Sequence, residues 1–236
     1  MNLFSPKRCL ICHGEIEAEI SWRSIFLNRT KEEAVCRKCE SMLLPIEGEK
    51  CTVCGRELDL SFCEGSLCLD CIRWEKDESW RGCLEKNISL YHYNDFMKEV
   101  IARFKFRGDY CLASVFAGKL RSVLKGIPGD YIVPIPLSAE RLYERGFNQS
   151  EALIVGAGLK PVPLLARIHS EKQSKKTRRD RIHLPQVFRL ESQEKLTGKN
   201  IVLVDDIYTT GSTLRHAARI LKEAGADKVS SLTIAR

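Results

Sequence analysis

The 236-residue chain has no apolar run approaching the length of a membrane span, so no segment is expected to insert into a bilayer. Its opening residues, M-N-L-F-S-P-K-R-C-L, hold no apolar stretch of the kind a secretory leader needs, and the protein is expected to stay in the cytoplasm. The loop G-x-x-x-x-G-K-[ST] is missing throughout, which removes the usual nucleoside-triphosphate cradle. What is present is an ordinary globular composition. Hydrophobic residues make up 44%, enough to bury a core, and the length suits one domain of usual size plus a smaller one.

Charge and cysteine are the two biases. The net charge of +7 favours anionic partners. Much of it is local: between Glu171 and Arg181, six basic side chains (Lys172, Lys175, Lys176, Arg178, Arg179, Arg181) face only Glu171 and Asp180. Of the 11 cysteines, eight form four C-x-x-C pairs: Cys9 and Cys12, Cys36 and Cys39, Cys51 and Cys54, Cys68 and Cys71. A C-x-x-C turn sets two thiolates on one side of a tight knuckle, and two knuckles complete a tetrahedral zinc shell. A segment with so little core of its own needs such a staple. Disulfides do not suit a reducing compartment, and a redox C-x-x-C would follow a strand in a βαβ unit that is not apparent here. Sequential pairing of the knuckles is the simplest; interleaved pairing stays open, as does the count of one or two zinc ions. Cys63 and His13 read as bystanders. The likeness of C-L-I-C-H and C-R-K-C-E to C-T-V-C-G-R and C-L-D-C-I-R points to a duplicated ribbon. These residues predict a small zinc-ribbon-like domain over residues 1–84, closed by the charged linker Trp74 to Gly82.

From residue 85 the pattern turns α/β. A short strand is expected over Ile88 to Tyr93. A helix from Asp95 carries Met97, Val100, Ile101 and Phe104 on one face, and a second helix runs from about Asp109 to Lys125. Lys105 and Arg107, at the end of the first helix, could face a ligand, but such a pair is more often a solvated helix end and is read as one here. Tyr131 to Ile135 is a buried strand followed by V-P-I-P-L-S, and Arg141 and Arg145, four apart, project from one side of a helical turn. Short strands follow over Val162 to Arg167 and Val187 to Leu190, on either side of the basic segment, and Val229 to Ile234 closes the pattern.

The centre of this region is Ile201 to Thr213, I-V-L-V-D-D-I-Y-T-T-G-S-T. Its four branched apolar residues suit a strand buried on both faces, with Asp205 and Asp206 at the carboxyl end, where open α/β sheets place ligands. A Thr/Gly/Ser turn then opens a helix, whose unpaired N–H groups and positive dipole end suit a phosphate. Gly211 lets the backbone approach the anion, and Thr209, Thr210, Ser212 and Thr213 add hydroxyl donors. The plain alternative is a buried strand, a capped helix and two solvated acids.

These thirteen residues resemble the 5-phosphoribosyl 1-pyrophosphate (PRPP) motif of the type I phosphoribosyltransferases. The resemblance implies that Asp205 and Asp206 meet the ribose hydroxyls and Thr209 to Thr213 hold the 5′-phosphate. It makes Arg141 and Arg145 the pyrophosphate candidates, and the basic segment a mobile loop in which Lys172 and its neighbours meet the departing pyrophosphate, with Mg²⁺ accompanying the ligand. A nucleic-acid arm is the competing reading of that segment. The full set of C-x-x-C knuckles, V-P-I-P, R-x-x-x-R-G-F-N-Q, K-Q-S-K-K-x-x-R and V-D-D-I-Y-T-T-G-S-T resembles the ComF family. That implies a PRPP-binding, phosphoribosyltransferase-like parallel-sheet domain over residues 85–236 and a role in natural transformation. Single-stranded DNA and competence proteins would be its partners. Two functions stay open: an accessory binding protein, and a transferase that displaces pyrophosphate with a base or an amine.

Overall fold

The computed structural model describes residues 7–16, 34–168, 187–191 and 195–236. The cysteine-rich part contains helix α1 (Arg37–Met42), the two-residue strands β1 (Cys63–Glu64) and β2 (Leu67–Cys68), and helix α2 (Leu69–Lys76). It is built twice on one plan. Around Cys9 a bridge between Arg8 and Glu15 forms a small hairpin, and around Cys51 a bridge between Lys50 and Glu57 does the same. In each, the residue four past the first cysteine returns its amide to that cysteine's carbonyl, His13 to Cys9 at 2.8 Å and Gly55 to Cys51 at 2.9 Å. Both take a left-handed backbone, φ 62° at His13 and 68° at Gly55. The partner knuckles open helices: Cys36 is the N-cap of α1 and Cys68 that of α2. The duplication expected from sequence is present.

The remainder supplies β3 (Asn87–Tyr91), α3 (Asp95–Phe106), α4 (Ala113–Lys125), β4 (Tyr131–Pro134), α5 (Ala139–Arg145) and α6 (Gln149–Gly156). After these come β5 (Leu165–Arg167), β6 (Phe188–Leu190), β7 (Asn200–Ile207), α7 (Ser212–Glu223) and β8 (Lys228–Ala235). Four strands make an all-parallel sheet in the order β3, β8, β7, β4. The strands expected around the basic segment do not join it: β5 and β6 pair antiparallel as a separate ribbon.

Alternation along β7 explains its all-apolar run. Val202 and Val204 join a cluster with Phe104, Phe116, Leu120 and Leu153 from α3, α4 and α6. Ile201 and Leu203 join the other cluster, with Leu214, Ala217, Ala218 and Leu221 of α7 and the cysteines 51, 54, 68 and 71. Each of these four side chains buries against helix or cysteine module, as a central parallel strand requires. Both clusters draw on residues before and after position 84, so the cysteine module shares its core with the sheet.

Helix ends are set by specific side chains. Asn94 Oδ1 accepts the Met97 amide at 2.8 Å to start α3, and Asn148 Oδ1 accepts that of Ser150 at 2.9 Å to start α6. Gly146, at φ 77°, ends α5 in the left-handed conformation a glycine reaches without strain. No helix among the described residues is long and apolar enough to cross a membrane.

Candidate functional site

At the carboxyl ends of β4 and β7 lies a cleft of about 220 Å³. Asp205, Asp206, Thr209, Thr213, Arg141 and Arg145 all line it. Thr210, Gly211 and Ser212 complete the turn between the two threonines, and Gly211 holds φ 78° as the N-cap of α7. β7 continues through both aspartates to Ile207, so the acids lie within the last pairs of the strand rather than beyond it. Asp205 accepts a hydrogen bond from Ser150 Oγ at 3.2 Å and from the Asp206 amide at 2.9 Å. Burial first, and the charge of Asp206 second, push the Asp205 carboxyl up to about 7.

The block E-R-G-F-N-Q now has a physical account. Arg145 faces the cleft and donates to Gln149 Oε1 at 2.9 Å, and Gly146 ends its helix. Phe147 packs on Phe104 with ring centroids 5.5 Å apart. Asn148 caps α6 and donates to the Ile135 carbonyl at 3.0 Å, tying this turn to the strand end. One short stretch therefore locks an arginine-bearing helix onto the cleft.

Two cations in the cleft come from elsewhere. Lys105, which sequence reasoning left as a solvated helix end, pairs with Asp206 at 2.7 Å and keeps only 18% of its side chain exposed. The correction is tertiary: the end of α3 is folded over the acids, which a helical period alone does not reveal. Arg167, at the end of β5, is the fourth cation, and burial, then the neighbouring charge of Arg141, pull its guanidinium below its ordinary range. Four cations converging on two carboxylates form a site for a ligand that brings both hydroxyls and several negative charges. Lys172 and the rest of the basic segment lie outside the described residues.

The eight knuckle cysteines form two quartets in sequential order, 9, 12, 36, 39 and 51, 54, 68, 71, with all sulfurs in each within 4.8 Å of one another. A zinc–sulfur bond of about 2.3 Å in a tetrahedron gives sulfur–sulfur edges of about 3.8 Å. The cross-knuckle separations match: 3.7 Å from Cys12 to Cys36 and 3.5 Å from Cys54 to Cys68. Amides are aimed at sulfurs, Ile11 to Cys9 and Cys68 to Cys51, both at 3.4 Å. At Cys9 burial opposes ionisation, but amides of Cys12, Cys36 and Ile11 outweigh it and hold the thiol at about 6. Both quartets therefore fit zinc, and Cys63 and His13 belong to neither.

Fold and cleft together define a type I phosphoribosyltransferase-like protein carrying an N-terminal module with two four-cysteine clusters. In agreement, residues 140–236 match the family of the phosphoribosyl transferase domain. The chain is 40% identical over 232 residues to the competence protein ComFC of Bacillus subtilis (strain 168), covering 97% of this chain and 94% of that one. It is 34% identical to competence protein ComFC of Streptococcus pneumoniae (strain ATCC BAA-255 / R6), covering 97% and 100%. To the DNA utilization protein YhgH of Escherichia coli (strain K12) it is 27% identical, covering 86% and 90%. The chain belongs to the ComF family.

Proposed function

We propose that the chain binds PRPP with Mg²⁺ in this cleft and serves as a zinc-containing accessory protein of natural transformation. In this role it handles imported single-stranded DNA with competence partners on the cytoplasmic side of the membrane. The observation that carries the reading is the convergence of Asp205, Asp206, Thr209 and Thr213 with Lys105, Arg141, Arg145 and Arg167 around one cleft. The acids suit ribose hydroxyls, the turn before α7 suits a 5′-phosphate, and the cations suit a pyrophosphate. Carboxylate oxygens also suit a hard divalent cation that accompanies the ligand. Residues 1–84 are read as the zinc-binding unit and 85–236 as the PRPP-binding unit. The names of the ComFC and YhgH relatives support the competence and DNA side. Calorimetric titration of Mg²⁺ and PRPP tests the site: saturable binding is expected, lost in Asp205→Asn with Asp206→Asn, and unchanged affinity in that variant refutes it. Single-strand binding is expected to fall steeply with salt and on neutralising Lys175, Lys176, Arg178 and Arg179.

One observation favours a second reading, an active transferase. Beside the first cleft, and sharing Ile207 and Thr209 with it, lies another of about 420 Å³, walled by Ile46, Arg56 and Glu57 of the cysteine module and by His92, Tyr93 and Arg236. That is room for an acceptor next to the sugar. Transfer would rest on positioning and charge, with Lys105, Arg141, Arg145 and Arg167 stabilising the departing pyrophosphate and Lys172 joining them from the basic loop. Pyrophosphate release from PRPP with a panel of bases and amines, above the hydrolysis background, decides for the enzyme; no release decides for the accessory protein.

A further inference from the structure

The second cysteine quartet is joined to the phosphate turn by hydrogen bonds and ring contacts that neither the fold nor the proposed ligand requires. Arg215, on the first turns of α7, is completely buried. Its Nη1 donates to Tyr208 Oη at 2.6 Å and its Nη2 to Cys71 Sγ at 3.7 Å, while its guanidinium lies 4.9 Å from the Trp74 ring. Trp74, three residues past Cys71 on α2, in turn donates Nε1–H to the Thr210 carbonyl at 3.1 Å. A third connection starts at Cys54, whose carbonyl accepts from Arg236 Nη1 at 3.0 Å, and Arg236 lies 4.2 Å over the Tyr208 ring. Tyr208, Thr210 and Arg215 are thus held from the quartet by Cys54, Cys71 and Trp74. They enclose Gly211, where any Cβ would collide with Tyr208 Oη and Arg215. The first quartet is attached elsewhere: Arg103 of α3 donates to the Ile11 carbonyl and meets His13 Nε2 at 3.1 Å.

A buried guanidinium bridging a metal-ligand sulfur and a loop phenol has little freedom to accept a change at one end without a change at the other. Zinc held by Cys51, Cys54, Cys68 and Cys71 would fix the Cys71 sulfur, and through it Arg215 and the turn; loss of the metal would remove that anchor.

We propose that Arg215 is a positioning residue that couples the second cysteine quartet to the phosphate turn, so that PRPP and the metal of that quartet strengthen each other's binding. The inference rests on the PRPP reading above. Because coupling free energy is reciprocal, the factor by which zinc improves PRPP affinity equals the factor by which PRPP improves zinc affinity.

The test uses the full-length, zinc-loaded protein and a zinc-selective chelator, with and without Mg²⁺ and PRPP. One of two zinc ions should be held about tenfold more tightly when PRPP is present, and the other should be indifferent. Arg215→Met should keep both zinc ions, bind PRPP about tenfold more weakly and lose the protection. Arg215→Lys should recover part of it. Should Arg215→Met fail to fold, Trp74→Phe keeps an aromatic side chain on the Arg215 side while removing the indole donor to Thr210, and is expected to weaken both PRPP binding and zinc protection. Cys12→Ser with Cys36→Ser should lose one zinc and leave PRPP affinity within about twofold. Equal zinc retention with and without PRPP in a wild-type protein that binds PRPP overturns the coupling, as does unaltered PRPP affinity in the folded Arg215 and Trp74 variants. A wild-type protein that binds no PRPP overturns the ligand reading itself, and the coupling with it.

Discussion

Lys105 Nζ and Asp206 Oδ2 stand 2.7 Å apart, joining the end of α3 to the end of β7 across the mouth of the cleft. The pair is mostly enclosed, with 18% and 10% of the two side chains exposed. In the ligand-free protein it spares Asp206 an unpaired charge, and a ligand bringing hydroxyls to the acid and phosphates to the lysine satisfies both partners in its place.

Lys105→Met is therefore expected to act twice. Leaving Asp206 unpaired should lower stability by about 2–3 kcal/mol, less than for a fully enclosed pair. Stripping one of four cations should weaken PRPP binding by about tenfold, a loss of about 1.4 kcal/mol. Thermal unfolding of Lys105→Met, Asp206→Asn and the double variant checks the first effect: the double variant should be more stable than the sum of the single losses implies. Strict additivity would show that the two side chains do not interact.

Asp205 gives a pH signature. Burial, then the Asp206 charge, raises its carboxyl to about 7 in the folded protein, against about 3.9 unfolded. A raised folded value means a stabilising contribution that is complete below the unfolded value and is lost as pH rises from about 4 to about 7. Wild type should lose melting temperature across that window relative to Asp205→Asn, and the difference between the two profiles isolates this group from others that titrate there, such as the buried His216. If the ionised acid is the form that meets ribose and divalent cation, PRPP binding near neutral pH releases a proton. Calorimetry in two buffers of different ionisation enthalpy reads that proton directly, and Asp205→Asn should release none.

Gly211→Ala should damage the cleft directly. The position holds φ 78°, and its Cβ would meet Tyr208 Oη and Arg215. The turn must open to relieve the collision, so PRPP binding should fall by about a hundredfold or more, about 2.7 kcal/mol. The count of two zinc ions should survive in the folded fraction. Binding at wild-type affinity would show that the turn does not hold the phosphate.

How much of this was legible in the sequence follows from distance along the chain. The strand, acidic pair, threonine turn and helix were readable because thirteen adjacent residues carry them and their geometry is local. The cysteine quartets were readable for the same reason, the knuckle spacing being a local constraint; sequential pairing needed the tertiary arrangement to decide it. Lys105 cannot be assigned to the cleft from sequence because its partner stands 101 positions later, and a lysine near a helix end is ordinarily solvated. Arg167 could not be recognised as a cleft residue while β5 was expected to be one more strand of the pattern. The link from Cys71 through Arg215 to Tyr208 spans 144 positions at its longest step, and nothing in an L-R-H-A-A-R helix distinguishes a buried arginine from a surface one.

The strand order carries a consequence for synthesis. β8 is translated last, after β7 and α7, yet it fills the gap between β7 and β3, meeting the latter in register from Asn87 with Ser231 to Tyr91 with Ala235. Until those eight residues have left the ribosome, two strands 109 positions apart present bare edges, and the tyrosine and arginine that brace the phosphate turn have no floor beneath them. Metal capture by the early knuckles would give the nascent chain a folded foothold during that wait, long before any phosphorylated sugar could find a pocket to enter.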